Sequence, residues 1–125
     1  MSAKYLIIMF CAGGLGALSR FGLATLVNQA AGGRFPLGTM AVNLAGCFLF
    51  GLIWALGARQ AWPEPVRLVI LAGFLGAFTT FSSFIFDTWM LGEFRWSWSM
   101  MNVAGQIVVG FILLLLGMRA ARLFG

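Results

Sequence analysis

Between Gly73 and Phe84 the chain reads Gly-Phe-Leu-Gly-Ala-Phe-Thr-Thr-Phe-Ser-Ser-Phe, setting two Thr, two Ser and two Gly among four Phe. The segment lies inside an apolar stretch long enough to cross a bilayer. Lipid offers nothing to a hydroxyl or to a loosened backbone amide, so this cluster should face protein, water or an ion. The polar groups elsewhere in the apolar stretches are mostly neutral hydrogen-bonders too, Asn43, Thr88, Asn102 and Gln106 among them. Such groups donate to an anion or accept from a cation. On an unbroken helix Thr79, Ser82 and Ser83 would share one face, and Thr80 and Ser83 another. The alternative for each is interhelical hydrogen bonding.

Phe78, Phe81 and Phe84 recur every three residues. A Phe stripe serves packing, but a ring edge is electropositive and can offer a small anion a contact without trapping it. Gly76 and Thr79 raise a second chemistry. A helix interrupted in mid-membrane frees backbone carbonyls that can coordinate a monovalent cation. The alternative is an ordinary helix packed closely through its glycines. Arg20 is the one basic residue within a span. It either snorkels to the interface or lines an anion-attracting vestibule.

Absences narrow the field. The chain has no His, so no imidazole metal site and no His-activated nucleophile can form. No Gly-rich loop with Lys is present for nucleotide phosphates. Of three carboxylates, Glu64 and Glu93 fall in loops and only Asp87 lies within a span. Paired-carboxylate catalysis is therefore unsupported, and the expectation is a protein that is not an enzyme. Cys11 and Cys47 lack ligand spacing and read as buried, reduced, structural residues.

These side chains must be positioned by membrane helices. The 125 residues are 62% hydrophobic and 9% charged, with a mean hydropathy of +0.99, far outside the range of soluble domains. A span takes about 20 apolar residues. Four of them, at about 5–27, 37–58, 66–91 and 97–118, consume the single membrane domain of residues 1–125. The first run does not read as a cleavable signal, since its second half is Gly-rich and holds Arg20. Trp62, Trp89, Trp96 and Trp98 fall near span ends, where interfacial aromatics belong. The net charge of +5 is scattered over loops without a stripe that could follow a phosphate backbone, so nucleic acid is not an expected partner. Lys4, Arg59, Arg67, Arg119 and Arg122 collect on one face and Arg20, Arg34 and Arg95 on the other, a modest bias that permits insertion in both orientations. Small residues at three- to five-residue spacing, such as Gly13, Gly16 and Ala17, allow helices to pack closely in lipid.

Taken together, the chain resembles the Fluc (CrcB) family of fluoride channels over its whole length. The residues carrying the resemblance are Gly13-Gly-x-Gly-Ala-x-x-Arg20, Gly38-Thr-x-x-x-Asn43 with Gly46, and the long Gly73-x-x-Gly-Ala-Phe-Thr-Thr-Phe-Ser-Ser-Phe84 run. The resemblance implies an all-α integral membrane protein of four helices, the third interrupted near mid-membrane. It also implies an antiparallel, dual-topology homodimer with two pores, passing fluoride passively out of a bacterial cell across its inner membrane. By the same resemblance Asn43, Phe81, Phe84, Thr80 and Ser83 would line the fluoride path. Gly76 and Thr79 would give backbone carbonyls to a structural sodium ion at the dimer centre. The sequence assigns no role to Asp87, Asn102 or Gln106.

Two other readings compete. A small multidrug or guanidinium exporter also has four spans, but needs a membrane-embedded Glu in its first helix, where this chain has Arg20 instead. A non-transporting scaffold would spread its polar residues along helix interfaces rather than gather them at one depth.

Overall fold

In the computed structural model, which describes residues 3–33 and 35–124, four long apolar helices run Ala3–Ala31, Leu37–Arg59, Glu64–Phe94 and Trp96–Leu123. Arg34, counted above among the loop charges, lies outside the described residues. We call the first two helices α1 and α2. The third and fourth are spans of several segments. Each helix is long enough, at about 1.5 Å per residue, to cross the ~30 Å hydrocarbon core. No strand occurs among the described residues.

Connections are short and follow local chemistry. Gly32 takes a positive φ of 62° in the turn after α1, a conformation that costs glycine nothing. The Asn28 side chain then ties this turn down by accepting from the Gly38 N–H at 2.8 Å. Pro63 and Pro65 open the third span, where a missing N–H is tolerated. Outer ends of the spans carry stacked cations: Arg67 lies 5.4 Å from the Trp54 ring centre and Arg95 5.9 Å from that of Trp98.

The third span is not a uniform helix. It begins as α-helix over Glu64–Leu68, widens to π-type turns over Val69–Leu75 and resumes over Gly76–Phe78. It then breaks: Thr79 and Thr80 are extended, at φ −84°, ψ 160° and φ −148°, ψ 112°. A second half-helix runs Phe81–Phe94. The fourth span has its own π-type segment, Gly105–Val109, between Trp96–Ala104 and Gly110–Ala120.

Glycine sets how closely these helices approach. On the α2–fourth-span contact, a Cβ on Gly51 would overlap the Leu114 carbonyl and one on Gly117 the Phe48 carbonyl. The two backbones therefore touch directly, which small residues permit and lipid cannot oppose. Gly16 does the same on α1 against the Phe74 carbonyl. A small apolar core of Val42, Leu71, Leu75 and Phe78 lies between α2 and the first half of the third span. Around it the outer surface is apolar: Phe10 and Phe21 of α1, and Phe111 and Ile112 of the fourth span, are all exposed. Cys11 is exposed on α1 and Cys47 half-buried. The expectation of a buried Cys11 therefore fails, because α1 sits at the edge of the bundle with a single buried residue, Gly16.

Candidate functional site

The site is organised by the interruption at Thr79–Thr80. Once the chain leaves helical geometry, backbone groups at mid-span lose their usual partners. In an unbroken helix the Thr80 N–H would bond the Gly76 carbonyl; here it donates to Asn43 Oδ1 at 2.8 Å. The Ser83 N–H, the ordinary partner of the Thr79 carbonyl, instead donates to Thr80 Oγ1 at 3.2 Å. Thr80 thus acts as the N-cap of the second half-helix, a role for which Thr is suited.

Asn43 of α2 closes the gap. Its Nδ2 donates to the Thr80 carbonyl at 3.0 Å while its Oδ1 accepts from the Thr80 N–H. The side-chain amide thereby imitates the neighbouring strand that this two-residue extended stretch lacks. Gly46, one turn along α2, makes the approach possible, since a Cβ there would run into the Thr79 methyl group. The Thr79 hydroxyl turns back to the Leu75 carbonyl at 3.0 Å.

This arrangement corrects the face assignment made on a continuous helix. Thr79 does not join Ser82 and Ser83, because the break rotates it away. Thr80 gathers them instead, donating to Ser83 Oγ at 3.0 Å and lying 3.4 Å from Ser82 Oγ. The Phe stripe is split for the same reason. Phe78 packs in the core, Phe84 is 7% exposed, and Phe81 is 74% exposed. Phe81 and Phe84 remain neighbours, with ring centres 5.8 Å apart and planes tilted by 50°.

Two cavities flank the break. The first, of about 360 Å³, is lined by Asn43, Thr79, Thr80, Phe81, Phe84 and Gln106, with apolar residues completing its wall. The second, of about 250 Å³, brings Arg20 to Thr80 and Ser83, with Thr39 beside them. Arg20 turns towards the break rather than the interface, and its Nη1 donates to the Thr79 carbonyl at 3.4 Å. All five residues expected along an anion path, together with Arg20, therefore border one or other of these adjoining spaces. Asp87 does not. It faces a separate cavity of about 440 Å³ near the α1–α2 turn, beside Asn28 and Pro36, and its Oδ2 is buried without a partner among the described residues.

Sequence reasoning left Asn102 and Gln106 without a role. Both belong to a run of hydrogen bonds that crosses the bundle. Asn43 Nδ2 donates to Gln106 Oε1 at 2.7 Å, Gln106 Nε2 to Asn102 Oδ1 at 3.0 Å, and Asn102 Nδ2 to Thr88 Oγ1 at 2.9 Å. The Thr88 hydroxyl ends the run on the Phe84 carbonyl at 2.7 Å. Their spacing of four on one helix was the available signal, since it places both amides on one face.

Electrostatically the break has two ends. The first half of the span points its C-terminal carbonyls into it, and the second half its N-terminal amides, so partial negative and partial positive charge meet there. The Thr80 and Ser83 hydroxyls, the Gln106 amide and the Phe81 and Phe84 rings line the cavities beside the break, with Arg20 reaching the Thr79 carbonyl. Such a set suits a small anion passing through and holds no nucleophile or general base.

A family model described as CrcB-like protein, Camphor Resistance (CrcB), matches residues 7–118. The chain is 44% identical over 120 residues to a protein from Nitratidesulfovibrio vulgaris named fluoride-specific ion channel FluC, covering 94% of this chain and 97% of the relative. A protein of the same name from Solidesulfovibrio magneticus is 45% identical over 114 residues, with 90% and 91% covered. Another, from Desulforapulum autotrophicum, is 42% identical over 125 residues, with 98% and 99% covered.

Proposed function

The chain belongs to the CrcB-like family, and from that premise we propose that it is a fluoride-selective channel of the bacterial cell membrane, letting the anion leave the cell passively. Its relatives are named for that activity over nearly the whole of their length. The observation that carries the reading is the interrupted third span, whose second half-helix opens beside a cavity holding Asn43, Thr80, Phe81 and Phe84.

The path runs along Ser83 and Thr80 and past the rings of Phe81 and Phe84, with Arg20 raising anion concentration at one side. Fluoride must shed water to enter, and hydroxyl and amide donors replace part of that shell. Ring edges contribute weak contacts, so the ion is held loosely enough to leave. No proton or covalent step is involved.

Two copies form the working unit, inserted antiparallel. Four helices are too few to wall a polar route from lipid, and Phe81 stands 74% exposed at the edge of the cavity. The nearly balanced loop charges are compatible with opposed insertion. A structural sodium ion at the dimer centre is compatible with the break, where the last carbonyls of the first half, those of Gly76 and Thr79 among them, lose their helical donors and Thr79 keeps a contact from Arg20. Those carbonyls would hold it, and the ion would supply fixed positive charge there.

The test is passive efflux from liposomes carrying the purified protein, followed with a fluoride electrode and then a chloride electrode. Rapid fluoride loss without chloride loss is expected. Folded dimeric protein that released no fluoride would refute the reading and return attention to a scaffold role.

A further inference from the structure

The run of hydrogen bonds from Thr80 to Phe84 has a fixed direction, and both ends impose it. A backbone N–H only donates and a backbone carbonyl only accepts. Thr80 presents its N–H to Asn43, so Asn43 must offer Oδ1 there and turn Nδ2 towards Gln106. At the other end the Thr88 hydroxyl gives its proton to the Phe84 carbonyl, so it can only accept from Asn102. Asn102 must then offer Nδ2 to Thr88 and Oδ1 to Gln106. Gln106 is thereby held from both sides in one orientation.

The consequence lies in the hydrogens left over. Asn43 has two N–H groups, and both are engaged, one by the Thr80 carbonyl and one by Gln106. It braces the break and has no donor to give a passing ion. Gln106 has two N–H groups as well, only one of which is taken, by Asn102. The second has no partner among the described residues, and Gln106 lines the cavity that contains Phe81 and Phe84. Its carbonyl oxygen, which would repel an anion, is occupied by Asn43.

We propose that Asn102 is a positioning residue for permeation, holding the Gln106 amide so that the cavity meets an N–H donor rather than a carbonyl oxygen. Asn102 is 0% exposed and borders neither cavity beside the break, so it acts only through Gln106. Without it the Gln106 amide is tied only through its oxygen to Asn43, and its N–H groups are no longer held in one direction. This inference rests on the fluoride-channel reading and extends it to residues that reading does not use.

The experiment is a mutant cycle in the liposome flux assay, with Asn102→Leu, Gln106→Leu and the double variant compared with the parent protein. A donor lost from the path is expected to lower fluoride flux about tenfold, the effect of one desolvated hydrogen bond. Acting through Gln106, Asn102→Leu should add no further loss on top of Gln106→Leu, and should lower the fluoride-to-chloride ratio. Thr88→Val, nearly isosteric, removes the acceptor on which Asn102 is anchored and should show the same pattern more mildly. It decides the question if Asn102→Leu does not fold. Fluoride flux and selectivity within about twofold of the parent in both folded variants, losses that multiply in the double variant, or an unaffected Gln106→Leu would each overturn the proposal. A parent protein without fluoride flux would overturn the channel reading itself and this inference with it.

Discussion

Replacing Asn43 by Ala should unfasten the break. The side chain makes three hydrogen bonds, to the Thr80 N–H at 2.8 Å, the Thr80 carbonyl at 3.0 Å and Gln106 Oε1 at 2.7 Å. Interhelical hydrogen bonds inside membranes average about 0.6 kcal/mol, which gives roughly 2 kcal/mol for the three. One of the stranded groups, the Thr80 N–H, has no helical partner, whereas the Thr80 carbonyl as N-cap still accepts the first bond of the second half-helix. Stranding a desolvated group costs about 1–3 kcal/mol, which carries the total towards about 4 kcal/mol. Reversible unfolding of the purified protein in mixed micelles, titrated with denaturing detergent, would read the difference. Asn43→Asp refines the test. One carboxylate oxygen can still accept from the Thr80 N–H, but the other would face the Thr80 carbonyl and Gln106 Oε1, so it should be no more stable than Asn43→Ala. The reasoning is refuted if Asn43→Ala unfolds within about 0.5 kcal/mol of the parent, since a clamp removed without cost was not a clamp.

Gly46→Ala should be destabilised by about 1–3 kcal/mol through overpacking against the Thr79 methyl group, and Thr79→Ser, which removes that methyl, should restore most of the loss in a double variant's unfolding curve. Phe84→Ala should cost about 3–5 kcal/mol because the ring is buried, whereas Phe81→Ala should leave the fold of the single chain nearly untouched; both should cut fluoride flux, and normal flux in both would show that the rings do not line the path. Exchanging sodium for a large organic cation on both sides of the membrane should lower fluoride flux or dimer stability, and indifference in both would remove the sodium ion from the proposal.

How much of this was legible in the sequence differs by element. The four spans are read directly from hydropathy, because each helix must bury about 20 residues' worth of backbone in lipid. The helices extend a few residues beyond the apolar runs, into Asn28, Glu93 and Arg119, since a helix needs no lipid to continue once started. Gly76 and Thr79 marked the neighbourhood of the interruption, but whether the chain breaks at Thr79–Thr80 is decided by Asn43, 37 residues from Thr80, and local residue types carry no trace of that pairing. The same holds for Gly46, which reads as one small residue among 17 glycines until the Thr79 methyl group is placed against it. Gln106 and Asn102 were visible as polar and four apart. Their direction of hydrogen bonding was not, because it descends from two backbone atoms on another span.

The location of the break explains why a polar route can exist in so small a protein. A continuous third span would satisfy its own backbone and leave only side chains to meet an ion. Interrupting it turns one half-helix's amides and the other's carbonyls into a pair of opposite partial charges at the same depth. The amide end is bordered by the Thr80 and Ser83 hydroxyls and by the Phe81 and Phe84 rings. At the carbonyl end the Thr79 carbonyl accepts from Arg20. Asn43 ties both backbone groups of Thr80 and the Gln106 oxygen, so its donors are fully engaged. A substitution at Asn43 should therefore disturb fold and flux together, whereas one at the exposed Phe81 should lower flux with little effect on the fold of the single chain.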